Sequence, residues 1–227
     1  MGRIAIACSK KWFIESPKIE SFEQLEVEWI YAPDSEGAKQ LEEVSCDTIF
    51  FPHWGWRISS EIFEKYTCIG FHAAPLPFGR GGSPIQNLIL RNFESAPVCA
   101  IEIVDGLDEG GIYMSEVISL HGSLGNILDR LSVVIQNMIV YLSCNNIQPR
   151  AQEGQIERFS RLTPSDNEIL SSDSLAKVYD KIRMVDHDEY PSSKLKLGDL
   201  SMEFSDAIFD DDMVSAKVIF RKIDEND

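Results

Sequence analysis

The chain has 227 residues, 44% of them hydrophobic and 26% charged, which suits one domain or one domain with a small appendage. It carries 37 acidic and 21 basic residues, for a formal net charge of −16. Such a charge repels phosphate backbones and anionic membranes, and therefore argues against a nucleic-acid or membrane partner.

No apolar run approaches the roughly 20 residues of a membrane-spanning helix, and the start of the chain lacks signal-peptide features, so we expect a cytoplasmic protein. The five cysteines have no metal-binding spacing, which predicts reduced core residues and no metal site.

Short apolar runs rich in β-branched residues alternate with amphipathic stretches through the first two thirds of the chain. This alternation is the pattern of an α/β domain. Four of the runs predict strands buried on both faces of a mainly parallel sheet, at 3–8, 25–32, 47–51 and 67–72. Helices are predicted at 37–43 and 60–65, and Ser83 followed by Pro84 predicts the capped start of another.

Further along the chain, the pattern predicts strands at 98–104 and 112–120 and a long amphipathic helix over 123–142. The composition turns polar at 145–154, so we predict a main domain over 1–150 and a small C-terminal α+β subdomain over 151–227. The elements predicted in that subdomain are a helix near 174–184 and strands near 200–204 and 214–220.

The densest group of reactive side chains lies at 70–87, directly after the fourth predicted strand. Ligands of open α/β sheets bind at the carboxyl ends of the strands, and His72 can exchange a proton near neutral pH. A hydrogen-bonded core histidine is an equally good interpretation. Arg80, flanked by glycines, suits a phosphate or carboxylate, but an ordinary loop explains it too and the P-loop ending is missing.

A second group of polar residues lies in the turn at 104–114 between two predicted strands. Its carboxylates, Asp105 and Asp108, are of the kind that orients or charges an imidazole in acid/base chemistry. An Asp/Gly turn is also what an ordinary hairpin uses, so the turn by itself leaves both readings open.

Taken together, the two segments resemble the folate-dependent formyltransferase family, in its sugar-nucleotide N-formyltransferase branch. The family pattern is N-x-H, a leucine/proline segment, R-G-x-x-P and, further on, L-D-x-G. The residues that match it are His72, Pro77, Arg80, Gly81, Pro84, Leu107, Asp108 and Gly110. The resemblance covers most of residues 1 to about 160 and implies a Rossmann-like α/β fold, with a mainly parallel twisted sheet, flanking helices and a small α+β C-terminal tail.

The resemblance implies transfer of a formyl group from 10-formyltetrahydrofolate to the amine of a nucleotide-linked aminodeoxy sugar, such as a UDP-linked 4-amino-4,6-dideoxy sugar of a pseudaminic-acid-type pathway. It implies no metal, nucleic acid or membrane, and it is compatible with a homodimer. The implied catalytic residues are His72 and Asp108. The implied folate-binding residues are Trp54, Trp56, Arg57, Ile58, Val104, Asp105, Gly106 and Asp108. The implied sugar-nucleotide-binding residues are Pro77, Arg80, Gly81, Gly82, Ser83, Gln86, Arg158, Arg161 and Tyr190.

One position departs from the family pattern, because the family's asparagine falls on Gly70. We expect retained activity, with a backbone N–H, a water or protonated His72 as the oxyanion donor. The alternative is a non-catalytic paralogue that binds folate or a sugar nucleotide. Within the family the rival acceptor is an aminoacyl substrate such as methionyl-tRNA, against which the acidic charge and the short tail argue.

Overall fold

The computed structural model describes residues 3–223, which form eleven strands and six α-helices. The strands are β1 Ile4–Cys8, β2 Val27–Tyr31, β3 Thr48–His53, β4 Thr67–His72, β5 Phe78–Gly81, β6 Ser95–Glu102, β7 Ile112–Ser119, β8 Glu157–Phe159, β9 Ser193–Leu197, β10 Leu200–Asp210 and β11 Met213–Lys222. The helices are α1 Trp12–Glu15, α2 Glu20–Glu23, α3 Ser60–Lys65, α4 Pro84–Ile89, α5 Leu124–Cys144 and α6 Leu175–Arg183. Short 3-10 helices occupy Gly37–Glu43 and Pro164–Asn167.

The centre of the fold is a six-stranded sheet in the order β2-β1-β3-β4-β6-β7. The first four strands pair in parallel, whereas β6 and β7 are antiparallel to their neighbours. Every residue of β1 is buried, because the sheet carries apolar clusters on both faces and a central strand must then be apolar throughout. The predicted fold class is confirmed.

The helix α5 covers one face of the sheet and contributes apolar residues to the larger core cluster. It begins with a capping box, in which the Ser123 side chain accepts a hydrogen bond from the backbone of Asn126 and the Asn126 side chain accepts one in return. Gln136, which is completely buried, accepts from Ile19 N at 2.9 Å and donates to Pro17 O at 3.0 Å. These bonds fasten the segment that follows β1 to the helix.

By length and composition α5 could cross a membrane, and 44% of its most apolar 18-residue window is buried in the protein. It is the sole such helix in the part of the chain that the structure describes. The sequence pattern predicts this helix but does not single it out as long and apolar enough to span a membrane, because the polar residues of its outer face interrupt the apolar run. A core helix of a soluble protein passes the same test, so we assign no membrane span to it.

Several predicted elements differ from the observed ones. The strand β2 lies at the edge of the sheet and is mostly exposed or half-buried, so burial on both faces was a wrong expectation there. The predicted helix at 37–43 is a 3-10 helix. Ser83 does precede α4, but its φ of 50° is left-handed and its side chain makes no capping bond. Its Oγ instead accepts a hydrogen bond from Leu162 N at 3.1 Å.

The C-terminal part contains the three-stranded antiparallel sheet β11-β10-β9. Its helix α6 contacts β10 and β11, and Tyr179 stacks on Phe209 with ring centroids 5.6 Å apart. The short strand β8 pairs in parallel with β5, so the chain after residue 150 is joined to the loop that follows β4. The domain division at residue 150 stays a prediction, and its outermost residues 1–2 and 224–227 lie outside the described residues.

Candidate active site

His72 is the last residue of β4, and only 7% of its surface is exposed. Its Nε2 lies 2.8 Å from the carbonyl oxygen of Gly79. Because a carbonyl oxygen only accepts hydrogen bonds, Nε2 carries the proton and donates it to Gly79. The second ring nitrogen, Nδ1, is therefore the one that can exchange a proton.

Asp108 approaches that second nitrogen from the turn between β6 and β7. Its Oδ2 lies 3.5 Å from His72 Nδ1 and accepts a hydrogen bond of 2.8 Å from Gly81 N. The backbone of Asp108 has a φ of 54°, a left-handed conformation that is uncommon for residues other than glycine and often marks functional sites. The two predicted catalytic side chains thus meet, as the motif predicts, although their catalytic role stays a prediction.

The tripeptide Gly79–Arg80–Gly81 of β5 connects the pair. Gly79 O contacts His72 and Gly81 N contacts Asp108. A Cβ on Gly81 would lie 2.3 Å from the carbonyl oxygen of Phe159, and Gly81 has a φ of 112°, so both space and conformation require glycine there. The close approach of β5 to β8 explains this glycine of the motif.

His72 and Asp108 line a cleft of about 640 Å³ at the carboxyl ends of the parallel strands. This volume lies within the range of ligand pockets. A larger groove, of about 1130 Å³, lies between β7 and α5. None of the predicted site residues lines that groove, so we place the candidate site in the smaller cleft.

Of the residues implied for folate binding, Trp54 and Asp108 line the cleft. Arg57 and Asp105 form an exposed ion pair of 2.9 Å, so the segments 54–58 and 104–108 lie next to each other at that point. Trp56 donates from Nε1 to Ala32 O at 2.9 Å. The remaining members of this predicted set are Ile58, which packs against the smaller core cluster, and Val104 and Gly106, which do not line the cleft.

Of the residues implied for acceptor binding, six line the cleft: Gly81, Gly82, Ser83, Gln86, Arg161 and Tyr190. The other three lie elsewhere. Arg80 is 8% exposed and bonds to the side chain of Gln152, the exposed Arg158 pairs with Glu109, and Pro77 accepts a hydrogen bond from Glu157 N at 3.3 Å. The roles predicted for all nine residues stay predictions.

One end of the cleft is polar and holds groups that sequence reasoning did not select. The Lys10 ammonium lies 4.0 Å from the ring centroid of Tyr190. Burial, and to a smaller degree the charge of Arg161, lowers the pKa of Lys10, whereas the charge of Glu189 partly opposes that shift. Burial, and to a smaller degree nearby Lys10, lowers the pKa of His53 to about 4. His53 is therefore neutral at pH 7, and its Nδ1 lies 3.0 Å from Ser9 Oγ.

Two indole N–H groups, those of Trp12 and Trp54, are buried without a hydrogen-bond acceptor among residues 3–223. Both residues line the cleft. A buried donor without a partner costs about 1–3 kcal/mol, so these walls suit a ligand that carries oxygen acceptors. Within the same described residues, no group of three or more His, Cys, Asp or Glu side chains is arranged to hold a metal ion.

Sequence reasoning also missed Gln152, which bonds to Arg80 and to the turn that carries Asp108. It lies in a polar stretch after the predicted boundary, where no apolar period or motif distinguishes it from a surface residue.

A family model, curated sequences and solved structures all show similarity between this chain and formyltransferases. A family model described as "Methionyl-tRNA formyltransferase, C-terminal domain" matches residues 164–221. The methionyl-tRNA formyltransferase of Rickettsia bellii is 24% identical over 194 residues, which cover 81% of this chain and 63% of that protein. That of Thermodesulfovibrio yellowstonii is 28% identical over 66% of this chain and 51% of its own length. The chain thus spans about half to two thirds of these relatives.

Among solved structures, a methionyl-tRNA formyltransferase from Clostridium thermocellum is 35% identical, with a TM-score of 0.88 over 98% of this chain and 100% of that one. HypX from Aquifex aeolicus, solved in complex with tetrahydrofolic acid, is 16% identical, with a TM-score of 0.68 over 91% of this chain and 38% of that one. A sugar N-formyltransferase from Shewanella is 15% identical, with a TM-score of 0.62 over 87% and 93%. At such identities the last two show the fold alone.

These findings correct two expectations. A nucleotide-sugar acceptor is wrong as the main expectation, because the more similar relatives are methionyl-tRNA formyltransferases. The expectation that no nucleic acid takes part is wrong for the same reason. The net charge misled because it sums over the whole chain, whereas a macromolecular partner meets one face of it.

Proposed function

The chain belongs to the formyltransferase family, and from that premise we propose that it transfers a formyl group from 10-formyltetrahydrofolate to the amino group of methionyl-tRNA. Two observations carry the proposal. The chain pairs His72 with Asp108 in a strand-end cleft and is 35% identical, along 98% of its length, to a methionyl-tRNA formyltransferase. The family resemblance of the two motifs is confirmed, whereas the sugar branch is not.

The chemistry needs donors for an oxyanion and a base for the attacking amine. When bound, the folate supplies the formyl carbon. His72 Nδ1 takes the proton of the amine as the amine nitrogen bonds to the formyl carbon, since Nε2 is held by Gly79 O. It gives that proton to the folate nitrogen as the bond between this nitrogen and the formyl carbon breaks. The carboxylate of Asp108, 3.5 Å away, stabilises the imidazolium, whose positive charge in turn stabilises the oxyanion. The cleft holds the two reactants together, which lowers the entropic part of the barrier.

The folate is expected between the segments 53–59 and 104–108, which contact each other through the exposed Arg57–Asp105 ion pair. The buried and unpaired indole N–H of Trp54 fits the carbonyl or carboxylate oxygens of such a ligand. We further propose that residues 1–150 are the catalytic domain and 151–227 an acceptor-side subdomain of a cytoplasmic enzyme. In support, Arg161 and Tyr190 reach the cleft from beyond residue 150.

The direct test incubates the purified chain with 10-formyltetrahydrofolate and initiator methionyl-tRNA. We expect formylmethionyl-tRNA, measured by mass spectrometry of the released amino acid. Free methionine and N-acetylmethionyl-tRNA serve as controls, the first lacking the tRNA and the second lacking the free amine. If the chain formylates another amine and leaves methionyl-tRNA unchanged, the proposed acceptor is wrong, but the proposed reaction, formyl transfer, still holds.

A non-reactive reduced-folate analogue should raise the melting temperature, because it binds only the native state. At a hundred times its Kd, the stabilisation is about 2.7 kcal/mol. Thermal shift and calorimetry measure the effect, and Trp54→Ala should weaken binding more than Trp29→Ala, a tryptophan on β2 outside the cleft. No shift and no heat at millimolar analogue would contradict the folate site.

A tRNA acceptor also requires cations on one face of this acidic chain. Register in the C-terminal sheet places Lys194, Lys196, Lys217 and Arg221 on the face of β10 that carries Ser201, Glu203 and Ser205. Cations on a common face contact phosphates and make binding salt-dependent.

Lys196→Glu should therefore raise the KM for methionyl-tRNA by roughly tenfold, about the effect of reversing one phosphate contact, and leave the KM for the folate unchanged. Steady-state kinetics at two salt concentrations measures both values. Lys39→Glu, an exposed lysine in the Gly37–Glu43 helix, is the matched control. Equal effects of the two substitutions would exclude this face as the contact.

Gly70→Asn tests the position that departs from the family pattern. A Cβ at Gly70 would lie 2.7 Å from Ile103 Cδ1, so an asparagine must displace the end of that side chain. We expect a folded variant with a stability loss of about 1 kcal/mol and no gain in turnover.

The double variant Gly70→Asn/Ile103→Val removes the clashing methyl group and should recover the stability lost by the single variant. Chemical denaturation of the parent and both variants measures the effect of the steric clash on stability. Formyl-transfer assays of the same proteins measure the effect of the asparagine on turnover. A tenfold gain in turnover, worth about 1.4 kcal/mol of barrier, would mean that the chain lacks a donor that an asparagine restores.

A further inference from the structure

The side chain of Gln152 uses all of its hydrogen-bonding capacity within the candidate active site. Its Oε1 accepts from Nε and Nη2 of Arg80, at 3.1 and 2.9 Å. Its Nε2 donates to the carbonyl oxygens of Asp108 and Gly110, each at 2.8 Å. Two acceptor positions and two N–H groups are thus all satisfied, which fixes the orientation of the amide.

The bond to Asp108 O acts on a residue whose backbone is strained. Asp108 has a φ of 54°, and such a conformation persists where its surroundings hold it in place. Gln152 holds the carbonyl of Asp108 while Gly81 N holds the carboxylate. The backbone carbonyl and the carboxylate of Asp108 are therefore both held in place. The distance of 3.5 Å between its Oδ2 and His72 Nδ1 depends on these two bonds.

Arg80 connects Gln152 to the strand β5, which contacts both His72 and Asp108. It lies between Gly79, whose carbonyl oxygen receives the His72 N–H, and Gly81, whose N–H reaches Asp108. Its side chain is 10% exposed, and Nη1 lies 3.3 Å from Glu109 Oε1. A movement of the Gln152 amide would therefore shift β5 and the Asp108 turn relative to each other.

We propose that Gln152 is a positioning residue that sets the distance between His72 and Asp108 by holding β5 and the turn 108–110 together. It contacts neither reactant and transfers no proton. The expected effect of Gln152 on turnover rests on the proposed function. Its effect on the position of Asp108 relative to His72 does not.

The test variant is Gln152→Glu, which keeps an acceptor for Arg80 but loses both donated hydrogen bonds. Gln152→Met, which loses all four bonds, is the second variant. Gln148→Glu is the matched control, since Gln148 lies on the same segment, is exposed and, among residues 3–223, donates only to the side chain of Asn146. All four proteins are compared as full chains.

The first readout is hydrogen exchange of the Gly81 amide, followed by NMR and divided by the exchange of amides in β3. If the substitution only lowers the overall stability, hydrogen exchange becomes faster at Gly81 and in β3 alike. If it releases the contact between Gly81 and Asp108, exchange becomes faster at Gly81 alone. In Gln152→Glu we expect the ratio to rise on the order of tenfold, the effect of losing a hydrogen bond, and Gln148→Glu to match the parent. An unchanged ratio in Gln152→Glu and Gln152→Met would overturn the proposal.

The second readout is kinetic. In Gln152→Glu the kcat should fall by roughly ten- to a hundredfold, as displaced catalytic groups do, while the KM for the folate changes by less than about twofold. A parental kcat with an increased exchange ratio would overturn the catalytic part of the proposal. If the parent chain transfers no formyl group at all, the proposed function fails, but the exchange ratio still decides whether Gln152 positions Asp108.

Discussion

Replacing His72 by alanine should lower the turnover of formyl transfer by roughly a hundredfold or more, the usual effect of removing a group that exchanges a proton in the transition state. The loss should appear in kcat, because His72 acts on the reacting atoms and contributes little to binding. Asp108→Asn should cause a loss of similar size. The amide can still accept the Gly81 N–H, so the turn keeps its shape, but the charge that stabilises the imidazolium is gone.

Two exposed residues provide matched controls for this pair. His121→Ala removes an exposed histidine, and Asp129→Asn neutralises an exposed carboxylate on α5. Both control variants should keep parental turnover and stability. Single-turnover rates measure the chemical step directly, and circular dichroism establishes that each variant is folded. Near-parental turnover in a folded His72→Ala protein is the outcome that refutes the assignment.

Gly110→Ala should destabilise the protein by at least about 2 kcal/mol, because added atoms in a close-packed site force the backbone to move. A Cβ at Gly110 would lie 1.8 Å from the carbonyl oxygen of Glu102, a backbone atom of the central sheet that cannot turn aside. Gln152 bonds to Gly110 O, so the displaced turn should also carry Asp108 away and lower turnover.

The matched substitution is Gly125→Ala, in the first turn of α5. Apart from its chain neighbours and the backbone of its own helix, the nearest atom of residues 3–223 to a Cβ there would be Ser123 Oγ, at 3.6 Å. An alanine there should be neutral or stabilise the helix by up to about 1 kcal/mol. Urea denaturation of the two variants measures the difference. Equal stabilities would mean that the turn at Gly110 is free to relax, contrary to the close contact with Glu102.

The sequence alone was sufficient to predict the parts of this protein that local patterns decide. Continuous apolar runs predicted β1, β3 and β4, and a helical period predicted α5, because side-chain periodicity depends on near neighbours along the chain. The two motifs also indicated His72 and Asp108. By contrast, β5 and β8 went unpredicted, since each is short and is stabilised by the other across a long separation in sequence.

Only the tertiary structure decided which polar groups meet. Gly81 and Asp108 are 27 residues apart, and Arg80 and Gln152 are 72 apart. Local propensity carries no information about such pairs, so Arg80 was expected at the ligand but bonds to Gln152 within the protein. The acceptor was misjudged for a related physical reason. Net charge is a property of the composition, whereas a partner meets the field of one folded face, and strand register determines which charges share that face.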